Sequence, residues 1–150
     1  VYTGLLPVTQ DEASLALVMG HEISHAIARH GNERMSQALA VQGAGMTLQV
    51  LAAEKPGTAT DLFLQSFGIG SQLGLLAYSR KQESEADKMG LVFMAMAGYD
   101  PRIAPAFWER MSAQGGPAPP ELLSTHPSDA RRIADIKAYM PKAMKYYRPR

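Results

Sequence analysis

The sequence contains no cysteine. That removes disulfide scaffolds, thiol nucleophiles and cysteine-rich zinc modules together. It leaves the redox compartment open, because a secreted protein need not use disulfides. An excess of either charge is also missing: 15 Lys and Arg face 14 Asp and Glu, for a net charge of +1. Composition therefore makes no electrostatic case for nucleic acid or an anionic membrane. No uncharged, wholly apolar run reaches the roughly 18 residues that mark a transmembrane helix. There is no internal repeat. Histidine is scarce, with four in the chain, so any metal site has to be assembled from these and from carboxylates. An initiator methionine is missing too. The chain opens at Val1 inside VYTGLL, which reads as a fragment or a processed product, truncated on its N-terminal side. The lack of a visible signal peptide is then uninformative.

What remains is a chain of 150 residues, 46% hydrophobic and 19% charged. These values fit one folded globular domain over residues 1–150, large enough to bury its own core. Residues 1–6 form a short β-prone run stopped by Pro7. Thr9 and Glu12 have the spacing of a capping box. The helix that follows is expected to run to about residue 30, with Leu15, Val18, Met19, Ile23, Ala26 and Ile27 on its apolar face and Gly31-Asn32 as its stop. Further helices are expected over about 33–53, 60–78 and 80–97. The third is rich in glycine (Gly68, Gly70, Gly74), which suggests close helix packing. Ser79 caps the fourth and Gly98 closes it. Asp100-Pro101 starts another helix to about residue 112. A Gly/Pro-rich loop covers 114–120, and a last helix runs from about 127 to 140, where Pro141 breaks it. The fold class is mainly α, with one short strand at the start.

The first helix carries His21-Glu22-Ile23-Ser24-His25, an HExxH motif. Four residues turn a helix by about 400°, so His21 and His25 lie one turn apart on the same face and can converge on one ion. Zinc accepts neutral imidazole well, at about 2.0–2.1 Å. Glu22, about 100° round the helix, reaches past the ion, which suits a base that takes a proton from the attacking water. A catalytic zinc centre takes three protein ligands. The third has to be His30, His126 or a carboxylate. His30 follows His21 by about 900° of helix, half a turn off its face, and suits the C-terminal end of a helix instead.

Glu83 is the best carboxylate candidate. Asp87 stands one turn beyond it, placed to accept the spare N–H of a ligating histidine and fix its tautomer. Glu85, about 200° away, points elsewhere. The plainer reading of Glu83 and Asp87 is a pair of exposed acids facing Lys81 or Lys88. His126, followed by Pro127, lies at or beside the N-cap of the last helix. A neutral N–H there suits an oxyanion, and a simple capping role explains it equally well. Arg132 or its neighbour Arg131 can serve the same charge or pair with an acid.

Taken in order, HEISHAIARHG, SRKQESEADKMGL, GYDP and STHPSDARRI resemble the CAAX prenyl protease, HtpX and OMA-type family of zinc metallopeptidases, an HExxH, gluzincin-like group. Within it the chain is most similar to the soluble, periplasmic bacterial branch. The resemblance spans residue 1 to about 136. It implies a zincin-like domain with an HExxH helix, a second helix bearing the third ligand, and an N-terminal edge strand. It implies one Zn2+, held by His21, His25 and Glu83, with Glu22 as catalytic base and Asp87 behind the ligands. His126 and Arg132 match family positions that assist the oxyanion or substrate. Tyr2, Thr3, Gly4 and Leu5 match the edge strand along which a substrate backbone lies.

The expected partner is a protein or peptide substrate, with no nucleic acid. Membrane association is expected through an N-terminal lipoprotein anchor missing from this sequence, in a periplasmic or outer-membrane setting, and another fragment of the same protein is a further possible partner. The segment that usually precedes the edge strand is absent, which leaves the substrate groove incomplete. The expected function is zinc-dependent hydrolysis of unfolded, damaged or envelope proteins. Two other functions compete with it: a latent zinc-bound chaperone or interaction module, and an enzyme acting on a non-peptide amide or ester.

Overall fold

A computed structural model describes residues 9–113 and 130–149. The expected strand at 1–6, the loop at 114–120 and the start of the last helix lie outside these residues. The regular elements described are all helical. They are α1 (Glu12–Ile27), α2 (His30–Ala53), α3 (Thr58–Met96), a 3-10 turn at Pro101–Ile103, α4 (Ala104–Ala113), α5 (Ala130–Ala143) and a final 3-10 turn at Met144–Tyr146. They group into two compact units, one of Val1–Ala28 with Glu83–Arg150 and one of Arg29–Gln82.

In the first unit, Asp11 caps α1 by accepting the Ser14 amide at 2.6 Å. The cap therefore sits two residues beyond Thr9, because the chain turns at Gln10 through a positive φ of 61°. The helix ends at Ile27, and Arg29 takes the left-handed conformation (φ 57°) that Gly31 was expected to supply. His30 thus opens α2 and does not close α1. The buried face of α1 also differs from the apolar stripe in the sequence. Ser14, Leu17, Val18, Gly20, His21, Ser24 and His25 face inward, while Met19, Ile23 and Ile27 are exposed. Leu17 and Val18 pack in the core, while His21 and His25 face inward because Glu83 and Asp87 of α3 meet them, and that information is not local.

α3 runs unbroken through Ser79, where a helix start was expected. Its neighbours, Tyr78 and Arg80 to Gln82, include no glycine or proline to stop the helix, and a serine caps only where the backbone already leaves it. The C-terminal end matches the expectation. Gly98 has φ 85°, and the Gly98 and Tyr99 amides bond the Ala95 and Met94 carbonyls at 3.0 Å, a Schellman closure. Asp100 then caps the turn at Pro101 through the Arg102 amide. The core joins Leu17 and Val18 of α1, Leu91 and Met94 of α3, Phe107, Trp108 and Met111 of α4, and Ile136 of α5. Pro141 does not end α5, which continues to Ala143. Ala143 is fully buried in the core, and that burial holds the turn despite the lost hydrogen bond.

The second unit is a helical hairpin of α2 and the first part of α3, joined at residues 54–57. Near its open end, Glu33 accepts from Gln82 Nε2 at 2.9 Å and from the Tyr78 hydroxyl at 3.2 Å. Gly68, Gly70 and Gly74 have open space where a Cβ would be. The close packing expected of them occurs instead at Gly20 and Gly90, in the first unit.

Candidate metal centre

Glycine brings α1 and α3 together. A Cβ on Gly20 would meet the Gly90 carbonyl oxygen at 2.8 Å, and one on Gly90 would meet the His21 amide nitrogen at 2.8 Å. The helices therefore cross at backbone contact, a separation that a larger residue at either position would prevent. His21 is the residue after Gly20. Glu83 and Asp87 stand two turns and one turn before Gly90 on α3, so the crossing sets both carboxylates against the two histidines.

His21 Nε2 lies 3.3 Å from Glu83 Oε2, and His25 Nε2 lies 3.3 Å from Glu83 Oε1. The two Nε2 atoms are 3.1 Å apart, and their rings meet edge to face. All three residues are buried. Ligands bound tetrahedrally at about 2.0–2.1 Å stand about 3.3–3.4 Å from one another, so these separations fit a single ion of zinc size. The donor set fits as well, since two imidazole nitrogens and a carboxylate suit zinc. Among the described residues, His21, His25 and Glu83 are the group with ligand atoms close enough to share an ion.

Behind them, Asp87 Oδ1 accepts from His21 Nδ1 at 3.0 Å. This fixes the tautomer that leaves the Nε2 lone pair facing Glu83. Arg132 grips the same carboxylate with two bonds, from Nε to Oδ2 at 2.6 Å and from Nη2 to Oδ1 at 2.7 Å. Arg132 Nη2 is also 3.3 Å from His21 Nδ1. Both nitrogens are donors, so this contact reflects their shared acceptor. The guanidinium carbon lies 3.7 Å from the Trp108 ring centroid, and Trp108 meets His21 edge to face at 6.1 Å. Burial opposes the charged form of His21, but the hydrogen bonds to Asp87 and Glu83 outweigh it and raise its pKa. Burial likewise pushes the Asp87 carboxyl up, and the bonds from His21 and Arg132 outweigh it and hold its pKa below the ordinary value.

The structure thus brings together His21, His25, Glu83, Asp87 and Arg132. Glu83 and Asp87 are buried, not the exposed pair of the plainer reading, and Arg131 is exposed where Arg132 is buried. Glu22 is exposed on the neighbouring side of α1, and Glu85 is exposed as expected. His30 lies in the other unit. His126 and Tyr2, Thr3, Gly4 and Leu5 lie outside the described residues. Sequence reasoning missed Trp108, Gly20 and Gly90. The glycines carried a signal, since a glycine inside a helix weakens it by about 1 kcal/mol and has to be offset by packing.

A buried His-His-Glu cluster behind an HExxH helix, in a helical frame, is the arrangement of a metallopeptidase. The chain belongs to peptidase family M48, which it matches over residues 1–140. It is 40% identical over 147 residues to the Schizosaccharomyces pombe mitochondrial metalloendopeptidase OMA1, covering 95% of this chain and 41% of that protein. The human mitochondrial metalloendopeptidase OMA1 is 36% identical over 152 residues, 97% of this chain and 29% of that protein. The Escherichia coli beta-barrel assembly-enhancing protease is 32% identical over 145 residues, 91% of this chain and 29% of that protein. The chain therefore spans less than half the length of these relatives. No solved structure matches it. Among the described residues, no helix is long and apolar enough to cross a membrane.

Proposed function

We propose that residues 1–150 form one metallopeptidase domain that hydrolyses peptide bonds with a single Zn2+, held by His21, His25 and Glu83. The observation that carries this reading is the convergence of two Nε2 atoms and both Glu83 oxygens within 3.1–3.3 Å, on three buried side chains. When bound, zinc polarises water and the scissile carbonyl. Glu22, on the exposed side of the HExxH turn, takes the proton from the attacking water on its carboxylate and returns it to the leaving amine. Asp87 holds the His21 proton at Nδ1, and Arg132 holds Asp87. In this reading Arg132 positions the two acids, gripping Asp87 and reaching Glu83 Oε2 from Nη1 at 3.5 Å, where the resemblance had it assist the oxyanion or substrate. His126 is assigned to the oxyanion, and residues 2–5 to the strand that aligns the substrate backbone.

The exposed side of α1 beside Glu22 carries Met19 and Ile23, 44% and 46% exposed. Such a strip suits apolar side chains of an unfolded chain, and we assign unfolded or damaged proteins as the substrate class. The name of the Escherichia coli relative favours work at a bacterial envelope, whereas the names of the OMA1 relatives favour a mitochondrion. Cell fractionation of the tagged protein decides between them.

Glu22→Gln tests the chemistry. The variant is expected to bind zinc with unchanged stoichiometry and to lose at least about 100-fold in cleavage of a quenched peptide library, the scale of one general acid-base group. Normal cleavage by this variant would refute the base assignment. One zinc with no cleavage by the unmodified protein would favour the latent, binding reading.

A further inference from the structure

The hairpin of residues 30–82 is apolar on the outside. On α2, Met35, Leu39, Met46 and Val50 recur at helical spacing and are 62–68% exposed. On α3, Leu62, Ile69, Leu73 and Leu76 do the same at 52–63%. Residues 35–53 and 62–79 contain no Asp, Glu, Lys or Arg at all. Soluble monomers rarely leave an apolar surface of this extent open, so it has an occupant.

The sequence argues against lipid. Gln37, Gln42, Gln49, Gln65 and Gln72 are spread along the same stretch, and each amide would lose its hydrogen bonds in hydrocarbon. Neither helix has the length and apolarity of a membrane span, and no Lys or Arg lies along the stretch to meet headgroups. The charges fall at the two ends and differ in sign. At the closed tip, Glu54 and Asp61 against Lys55 leave −1; at the open end, Arg34, Arg80 and Lys81 against Glu33 leave +2.

We infer that the occupant is a second copy of this chain, whose hairpin packs antiparallel against the first. This arrangement covers apolar helix faces on both copies and sets each acidic tip against the partner's basic end. It is two-fold symmetric, the form most soluble oligomers take, and its charge pairing favours it over the parallel alternative, which sets like charges together at both ends. The inference stands apart from the proposed chemistry, since it uses no residue of the metal centre.

Sedimentation velocity of the 150-residue chain without detergent, with helicity followed by circular dichroism, tests it. A dimer in the micromolar range is expected. Leu39→Glu with Leu73→Glu is expected to give a monomer of unchanged helicity. Glu54→Lys with Asp61→Lys is expected to weaken the dimer about tenfold or more, and Arg34→Glu with Arg80→Glu, added to it, to restore affinity. A monomer at 100-fold higher concentration, a dimer indifferent to the leucine substitutions, or tip reversal without effect would each overturn the proposal. So would loss of the dimer into uncharged phosphatidylcholine vesicles, which would make lipid the occupant.

Discussion

His21 carries its proton on Nδ1 because that nitrogen faces the Asp87 carboxylate at 3.0 Å, and Arg132 keeps that carboxylate ionised through two bonds. The guanidinium carbon sits over the Trp108 ring, 3.7 Å from its centroid, so one aromatic residue backs a chain of three polar ones. The titrations follow. His21 is raised above 6.5, so its contribution to stability is complete below that value and is lost as pH rises through the raised one. Asp87 is lowered below 3.8, so its contribution is complete above that value and is lost as pH falls through the lowered one. In chelator-stripped protein the contribution of this pair is then greatest between pH 3.8 and 6.5 and declines on either side. Metal needs the neutral ring, so its apparent affinity rises with pH across the upper limb and protons are released on binding. Urea denaturation of stripped protein from pH 3 to 9, with zinc titrations from pH 6 to 8, checks both; flat profiles would show that His21 is not coupled to the centre.

The elements act through their crossings. The contact between α1 and α3 depends on two glycines, and Gly90→Ala puts a methyl 2.8 Å from the His21 backbone nitrogen. Overpacking of this kind costs roughly 1–3 kcal/mol, against about 1 kcal/mol of helix propensity gained. We expect a lower melting temperature and weaker zinc binding, because the helices bearing the ligands must part. Gly68→Ala, with nothing within 4 Å, is expected to stabilise by up to about 1 kcal/mol and leave zinc binding unchanged. Equal effects of the two substitutions in thermal melts and zinc titrations would show that the crossing does not set the site. Local signals served where the physics is local. The Gly98 closure and the Asp100 cap were legible, since positive φ and a side-chain cap are properties of a few consecutive residues. The Thr9 cap, the break at Ser79 and the stop at Pro141 were misread, since helix continuation depends on burial such as that of Ala143.

For the whole molecule, metal and fold are linked. Folding brings together ligands 62 positions apart, from His21 to Glu83, so an ion that binds only the folded chain stabilises it. At 100 times its dissociation constant the gain is about 2.7 kcal/mol, which for a domain of this size shifts the melting temperature by roughly 5–10 °C. Chelation followed by zinc add-back, read by calorimetry, checks this; a melting temperature indifferent to zinc would remove the metal from the folded core.

The sequence by itself determined the chemistry available. Without cysteine, metal ligation had to come from histidine and carboxylate, and the i, i+4 spacings of His21 with His25 and of Glu83 with Asp87 follow from the helical period alone. Only the tertiary structure decided which of those groups meet. The crossing at Gly20 and Gly90 chose Glu83 and left His30 in another unit. The partner of Asp87 is Arg132, 45 residues away, because packing against Trp108 places it there and no local rule connects them. The same division holds for the apolar residues, whose spacing marks a helix face without saying what covers it. That depends on which surfaces the folded chain has already covered, and here the core residues Leu17 and Val18 share the inside of α1 with the two histidines, while the hairpin leaves apolar residues exposed.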